Sequence, residues 1–334
     1  MDFYQIDFIK SIYISELYNV IIPKLKNYFK NYKYKDLVFN FCSLEFISPN
    51  VIPHIFNIAD IYSNYCSKKL KIVISWENLE LLKYLDAIGF FVLAEKSQLI
   101  DYNRDMVGGF DSYKTKNNCK FMIFDRGLDE DSIKDQIPEM LKVLNVVQMF
   151  DSDAVLSERD IGEILFHLID NSTNTDQGDS NAYVAFQVNK YDKKHFAYLS
   201  ICDNGNGIKS TIEKQFKAGF YSPCLTQKSR STFSYILEAI FWRRLYPEKH
   251  GIYQIADLVF RRNGRLSIHS NDTIATFNNK NFLTYFDTIT KSIDEKKYER
   301  IRSIKLEELE IQLSTTRKYK GVHIDLEFPL GEVR

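Results

Sequence analysis

Two stretches of this chain carry residue types whose spacing could do chemistry. The first is Asp203-Asn204-Gly205-Asn206-Gly207-Ile208, where an apolar run, 196–201, delivers an aspartate into a turn with two glycines. A carboxylate at a strand end can accept a hydrogen bond from an exocyclic amino group such as that of adenine. The glycines allow backbone to approach a base and sugar closely. The second is a helical stripe: Glu163, His167, Asn171 and Asn174 recur at i, i+4, i+8 and i+11. Ile161, Ile164, Leu165, Leu168 and Ser172 face elsewhere, toward a core. A polar stripe ending in an asparagine suits magnesium, which takes hard oxygen donors and bridges to phosphates. Each stretch also has an ordinary reading. Asp-Asn-Gly makes a good turn anywhere, and a polar stripe is most simply a solvated helix face. The order of the segments is the specific signal. After these two come His250-Gly251-Ile252-Tyr253 ahead of a helix, then Asn263-Gly264-Arg265-Leu266-Ser267-Ile268-His269-Ser270.

The elements that must position these residues follow from periodicity and punctuation. In the first third, 37–41 reads as a strand after a Lys/Tyr-rich segment, 51–65 as a helix, 70–75 as a strand, and 76–88 as a helix ended by Gly89. Strand, helix, strand, helix predicts a small parallel α/β unit. Residues 100–118 are polar, contain Gly108-Gly109 and read as a linker. Beyond it, 120–124 is a predicted strand and 131–149 a helix that Pro138 either kinks or starts. Ser157 and Asp160 fit a capping box opening a helix over 157–173. A hairpin is predicted from 183–189 and 196–201, a long mixed segment over 209–250, a helix over 252–262, and strands at 265–270 and 323–328. This half reads as an α+β sandwich. The domains expected are therefore 1–100, a linker 101–118, and 119–334.

Bulk properties exclude several classes. The chain has 334 residues, enough for two domains with real cores. Hydrophobic residues make up 45% and aromatic residues 14%, which excludes wholesale disorder. Lys+Arg and Asp+Glu both total 44, so there is no electrostatic case for a general nucleic-acid binder; a local basic patch is compatible with that balance. Cys42, Cys66, Cys119, Cys202 and Cys224 are widely spaced and lack CxxC, which predicts reduced, buried thiols. The start, Met1-Asp2-Phe3-Tyr4-Gln5, lacks the basic and apolar regions of a leader. No run approaches the roughly 18 apolar residues of a membrane helix. A soluble cytoplasmic protein without a membrane partner is expected.

Over about residues 119–330 the ordered segments resemble the GHKL superfamily of ATP-binding domains, which includes gyrase, the large heat-shock chaperones, histidine kinases and mismatch-repair ATPases. The resemblance implies the Bergerat ATP-binding fold with Mg2+ and ATP as cofactors. Asn171 stands at the magnesium-ligating asparagine and Asp203 at the adenine-binding aspartate, with Gly205 and Gly207 as the motif glycines. Gly251-Ile252 occupies the last two positions of the GxGL box, and 320–329 looks like the closing strand. The departures are specific. His167 stands where members that hydrolyse ATP carry a glutamate base. With a reference pKa near 6.5 it can be a base or a plain hydrogen-bonding residue. Glu163, one turn earlier, is a second base candidate. Lys249 replaces the first glycine of the box, as a phosphate contact or as a mark of a degenerate lid.

About residues 10–98 resemble STAS domains, the fold of anti-sigma-factor antagonists. The strand and loop Leu37-Val38-Phe39-Asn40-Phe41-Cys42-Ser43-Leu44-Glu45-Phe46-Ile47-Ser48-Pro49-Asn50 carry the match. Pro49 falls where the family's phosphoacceptor serine would lie. Ser48 is either a phosphosite or a Ser-Pro helix start. The two resemblances together imply a bacterial-type regulatory ATP-binding protein. Its partner would be a regulatory protein of the STAS type or related to sigma factors, and a homodimer is compatible with this reading. The alternatives are a serine protein kinase of the anti-sigma type, a slow ATPase, and a nucleotide-free interaction module. No phosphoacceptor hairpin of the sensor-kinase type precedes residue 119, since His54 is the only earlier histidine.

Overall fold

The first sheet grows from alternation. In β1 (Phe3–Ile12), Ile6 and Phe8 are fully buried while Gln5, Asp7 and Ile9 face outward. β2 (Asp36–Ile47) continues well past the predicted 37–41 and pairs with β1 in parallel. β3 (Leu70–Val73) and β4 (Ile100–Tyr102) extend the sheet in the order β1-β2-β3-β4, with every pair parallel. The structure, a computed structural model, describes residues 3–103, 118–146, 158–174, 178–191, 194–219, 231–246, 252–298 and 312–332. The chain forms two compact units, Met1–Ile123 with Tyr183–Gln187, and Phe124–Ala182 with Val188–Arg334.

Helices connect the parallel strands, as such pairs require. A short α1 (Ile14–Glu16) and a π turn (Leu17–Ile21) lead into α2 (Ile22–Asn31), which sets Ile22, Leu25 and Tyr28 into the core. α3 (Ile52–Cys66) is buried along most of its length, including Ile55, Phe56 and Tyr62. α4 (Leu79–Ala87) starts three residues later than expected because the Asn78 side chain caps it, accepting from the Leu81 amide. Gly89, at φ +80°, ends it and opens α5 (Phe90–Ser97). Ser48 precedes a turn with Pro49 at its first position, and its carbonyl accepts from the Val51 amide at 2.8 Å. β1, α2 and their helical lead-in were not visible in the sequence pattern. Most of the expected linker lies outside the described residues.

In the second sheet the order is β5-β6-β7-β9-β8: β5 (Cys119–Phe124), β6 (Ala182–Tyr191), β7 (Lys194–Asp203), β9 (Gln312–Glu332) and β8 (Arg265–Asn278). β7 with β9 and β8 with β9 are antiparallel. Parallel and antiparallel sheets thus coexist in one mixed α/β chain. α6 (Glu130–Leu141) begins where the Asp129 carboxylate accepts from the Ser132 amide at 2.7 Å. Pro138 is inside α6, so it does not mark the start. α7 (Glu158–Thr173) is the predicted polar-striped helix; its expected cap, Ser157, lies outside the described residues. α8 (Ile208–Lys217) and α9 (Thr232–Leu245) occupy the mixed segment, and Ile212, Tyr235 and Trp242 pack a small core between them. α10 (Tyr253–Arg261) precedes β8 and α11 (Asn279–Asp294) follows it.

The cysteine expectation needs one correction. Cys42, Cys66, Cys119 and Cys202 are free; Cys119 and Cys202 are buried, but Cys42 is exposed and Cys66 half-buried. Cys42 lies in the bulge where β1 and β2 slip register, and the regular alternation is broken there. No helix among the described residues is long and apolar enough to cross a membrane.

Candidate functional site

The last turn of α7 and the end of β7 are the starting point. A helix leaves its final carbonyls without internal partners. Here the Gly178 amide donates to Asn171 O at 3.0 Å, Ser180 N to Ser172 O at 3.1 Å, and Gly127 N to Thr173 O at 2.9 Å. The segment that caps α7 therefore sits directly under its C-terminus. That segment also meets the aspartate turn. A Cβ on Gly205 would stand 2.1 Å from Gly178 O, so only glycine allows the two backbones this close. Ser172 Oγ lies 3.0 Å from Leu168 O and 3.4 Å from Asp203 Oδ2 and shares its hydrogen between them.

Asp203 is 4% exposed. Its Oδ1 accepts from the Gly205 amide at 2.8 Å and the Val322 amide at 3.1 Å. Burial pushes its pKa up to about 6, against the opposing pull of those amides, the Ser172 hydroxyl and the Lys320 charge. At neutral pH the group is thus a carboxylate, an acceptor with no proton of its own.

A bulge in the neighbouring strands supplies the Val322 amide. On β8 and β9, Ser270 pairs with Val322, but the next residue, Asn271, pairs with Tyr319. Lys320 and Gly321 are left unopposed, and Asn271 takes φ 55°. The bulge drives Gly321, at φ +96°, against the chain at Asp203, where a Cβ would come within 1.7 Å of Asp203 O. The strand β8 continues through the bulge past Ser270, beyond the predicted end at 270. Ser270 Oγ accepts from the Ile208 amide at 3.2 Å, which anchors Gly207, φ +79°, at the start of α8. Beside the bulge, His269 and His323 are buried with their Nδ1 atoms 2.9 Å apart, one ring donating to the other. Burial lowers the pKa of His269 to about 4, so that ring is neutral at physiological pH.

The predicted site residues thus divide. Asn171, Asp203, Gly205 and Gly207 belong to one corner built by α7, β7 and the β8–β9 bulge. His167 is half-buried on the same helix, edge-on to Phe166 at 5.3 Å. Glu163 lies eight residues before Asn171, about 12 Å along the axis. It is an exposed partner of Arg159, so it is not at the corner. Lys249 and Gly251 lie outside the described residues. Ser172, Gly178, Ser270 and Gly321 were not singled out for the site. For Gly321 a signal existed, since a glycine beside a strand pattern often marks a bulge or close backbone approach.

Next to the corner, Cys202 is a buried thiol. Burial, with the Asp325 and Asp203 carboxylates, raises the Cys202 thiol well above its usual range. No protein-family model matches the chain, and no curated protein matches it.

One prediction concerns the adjacent sheet. Asp325 pairs in register with Ser200 and Ser267, its Oδ1 is shielded from solvent, and burial pushes its pKa up to about 6. The folded value exceeds the unfolded one. The stabilising effect of the protonated form is therefore complete below pH 3.8 and is lost as pH rises through about 6. Asp325→Asn removes that loss. The variant should be more stable than wild type by about 2–3 kcal/mol at pH 8. The difference should vanish near pH 4, as read from urea melts at the two pH values.

Proposed function

We propose that the second unit binds Mg-ATP as a Bergerat-type domain of the GHKL superfamily. The observation that carries this reading is the junction of Asn171 and Asp203. The Gly178 amide bonds to Asn171 O, and the Gly178 carbonyl abuts Gly205, whose amide bonds to Asp203. The main chains of Asn171 and Asp203 thereby meet at one corner, and the reading assigns the Asn171 side-chain oxygen to a cation and the Asp203 carboxylate to an amino group. In this reading Asp203 recognises the base, Gly205 and Gly207 let the backbone lie close to it, and Asn171 would hold magnesium through its side-chain oxygen. Magnesium would neutralise phosphate charge. The resemblance assigns phosphate binding to Lys249 and Gly251, and His167 lies one helical turn before the metal ligand.

The function proposed is regulatory. Nucleotide occupancy of the second unit would switch a partner-binding surface. The first unit, with its parallel sheet and Ser48-Pro49 turn, would serve as a STAS-like recognition module for a regulatory protein. Nucleotide binding alone would suffice for the switch, and phosphoryl transfer or hydrolysis is a separate step, for which His167 is the residue to test.

The experiment is calorimetric titration of the full chain with ATP, in magnesium and in EDTA. Wild type should bind in both and more tightly with magnesium. Asn171→Ala should bind equally in the two, because the metal's protein ligand is gone. A wild-type chain with no heat and no thermal shift on ATP addition would refute the reading.

A further inference from the structure

The zero net charge conceals a local excess in the first unit. Residues 17–35 contain Lys24, Lys26, Lys30, Lys33 and Lys35 and no aspartate or glutamate. All but the half-buried Lys35 are exposed. None of the five forms an ion pair among the described residues, and the next carboxylate along the chain, Asp36, is held by Lys68 at 2.5 Å. Amphipathicity places three of them: α2 turns Ile22, Leu25 and Tyr28 inward, leaving Lys24, Lys26 and Lys30 on the opposite surface.

Aromatic faces are interleaved with these charges. Tyr34 and Tyr65 are each 72% exposed, far more than a ring of that size needs for packing. Tyr32 stacks on Tyr4 at 5.0 Å and 26°, Phe29 lies 5.8 Å from Tyr65, and the Lys35 ammonium lies over Tyr32 and Tyr34 at 5.7 and 6.0 Å. The loop is fixed. The Tyr28 hydroxyl donates to Lys35 O at 2.6 Å, and the Cys66 thiol reaches Lys33 O at 3.8 Å. Lysines and rings are thus held on one pre-formed end of the unit, from the last turns of α2 into the loop before β2.

We infer that this surface binds single-stranded nucleic acid, with the lysines on phosphates and Tyr34 and Tyr65 as stacking platforms. Charge alone would suit any polyanion. Exposed rings beside the charges favour unpaired bases, whose faces stack on aromatics without sequence preference. An acidic peptide would meet the lysines with its carboxylates but supplies few flat faces to stack on the two rings, and a membrane would bury the rings at its interface without stacking on them. The inference does not depend on the nucleotide reading, which concerns the other unit.

The test is fluorescence anisotropy of the full chain with labelled oligo-dT and oligo-U of roughly a dozen nucleotides, a length suited to one small domain. Titrations run between about 50 and 200 mM salt. Lys26→Gln/Lys30→Gln/Lys33→Gln should weaken binding at least about tenfold and flatten the log-log salt slope by about 2, as three phosphate contacts are lost. Tyr34→Ala/Tyr65→Ala should weaken it about tenfold with the slope unchanged. All five positions are exposed, and circular dichroism checks that the variants fold. Tighter binding of one oligomer assigns the sugar type. The inference is overturned if wild type binds neither oligomer more tightly than the lysine variant. It is equally overturned if the tyrosine variant binds like wild type, or if polyglutamate or vesicles of anionic lipid compete as well as the oligomers.

Discussion

Replacing Gly321 by alanine should destabilise the second unit by about 3 kcal/mol, the sum of an unfavourable backbone region and an overpacked contact. The residue combines φ +96° with a Cβ position 1.7 Å from Asp203 O, 2.6 Å from Asp203 C and 2.9 Å from Asn204 Cα. All three are backbone atoms, so no side chain can rotate away. Either β9 or the Asp203 turn must move. Movement of β9 lengthens the bond from the Val322 amide to Asp203, and movement of the turn breaks the approach of Gly205 to Gly178. Gly219→Ala is the control. Gly219 has φ +76° and nothing within 4 Å of its Cβ position, so only the backbone term of about 1 kcal/mol applies. Urea melts followed through Trp242 in a Trp76→Phe background report on the second unit, since these are the two tryptophans of the chain. Equal losses at the two glycines would mean that the contact with Asp203 does not constrain position 321.

Asp203→Asn should abolish measurable ATP binding, a loss of about a hundredfold or more, while leaving the fold intact. The amide oxygen of asparagine can still accept from Gly205 N and Val322 N, the bonds that anchor the turn. Its NH2 group, however, would confront an adenine amino group with a second donor. A lost bond to a charged acceptor together with an unsatisfied donor is worth about 2–3 kcal/mol. The variant should be no less stable than wild type at pH 7, because a buried charge is gone. The pKa near 6 adds a pH signature. Affinity of wild type should fall as pH drops below about 6, where Asp203 takes up a proton and loses acceptor capacity. Calorimetry at pH 5 and pH 7.5, with adenosine as well as ATP, separates this from titration of the phosphates. If Asp203→Asn binds ATP like wild type, the aspartate is a structural clamp and the corner does not recognise adenine.

Much of the local structure was legible because local rules govern it. α7 is announced by an apolar stripe, and β7 by an apolar run ending in a glycine turn. α3 and β3 follow their periodicities, and the alternating order in the first unit points to its parallel sheet. Errors cluster where a distant strand decides. β8 was expected to end at Ser270, yet it runs on to Asn278, with the extra residues of the partner strand taken up in a bulge. Pro138 was open to being a kink or a helix start, and the local Asp129 cap places the start upstream of it. Cys42 looked like a buried thiol because the bulge between β1 and β2 cannot be seen along the chain.

The sequence by itself determined that Asp203 ends a strand, that two glycines follow it, and that Asn171 lies late in a polar-striped helix. These depend on residues within a few positions of one another. Only the tertiary structure decided that Gly178 and Gly321, far apart in the chain, press on the same turn, that Glu163 stays at the surface, and that the carboxylate is buried enough to titrate near 6. Those facts arise from strand register and close backbone approach, which are set by the packing of distant segments and leave no periodicity in the sequence.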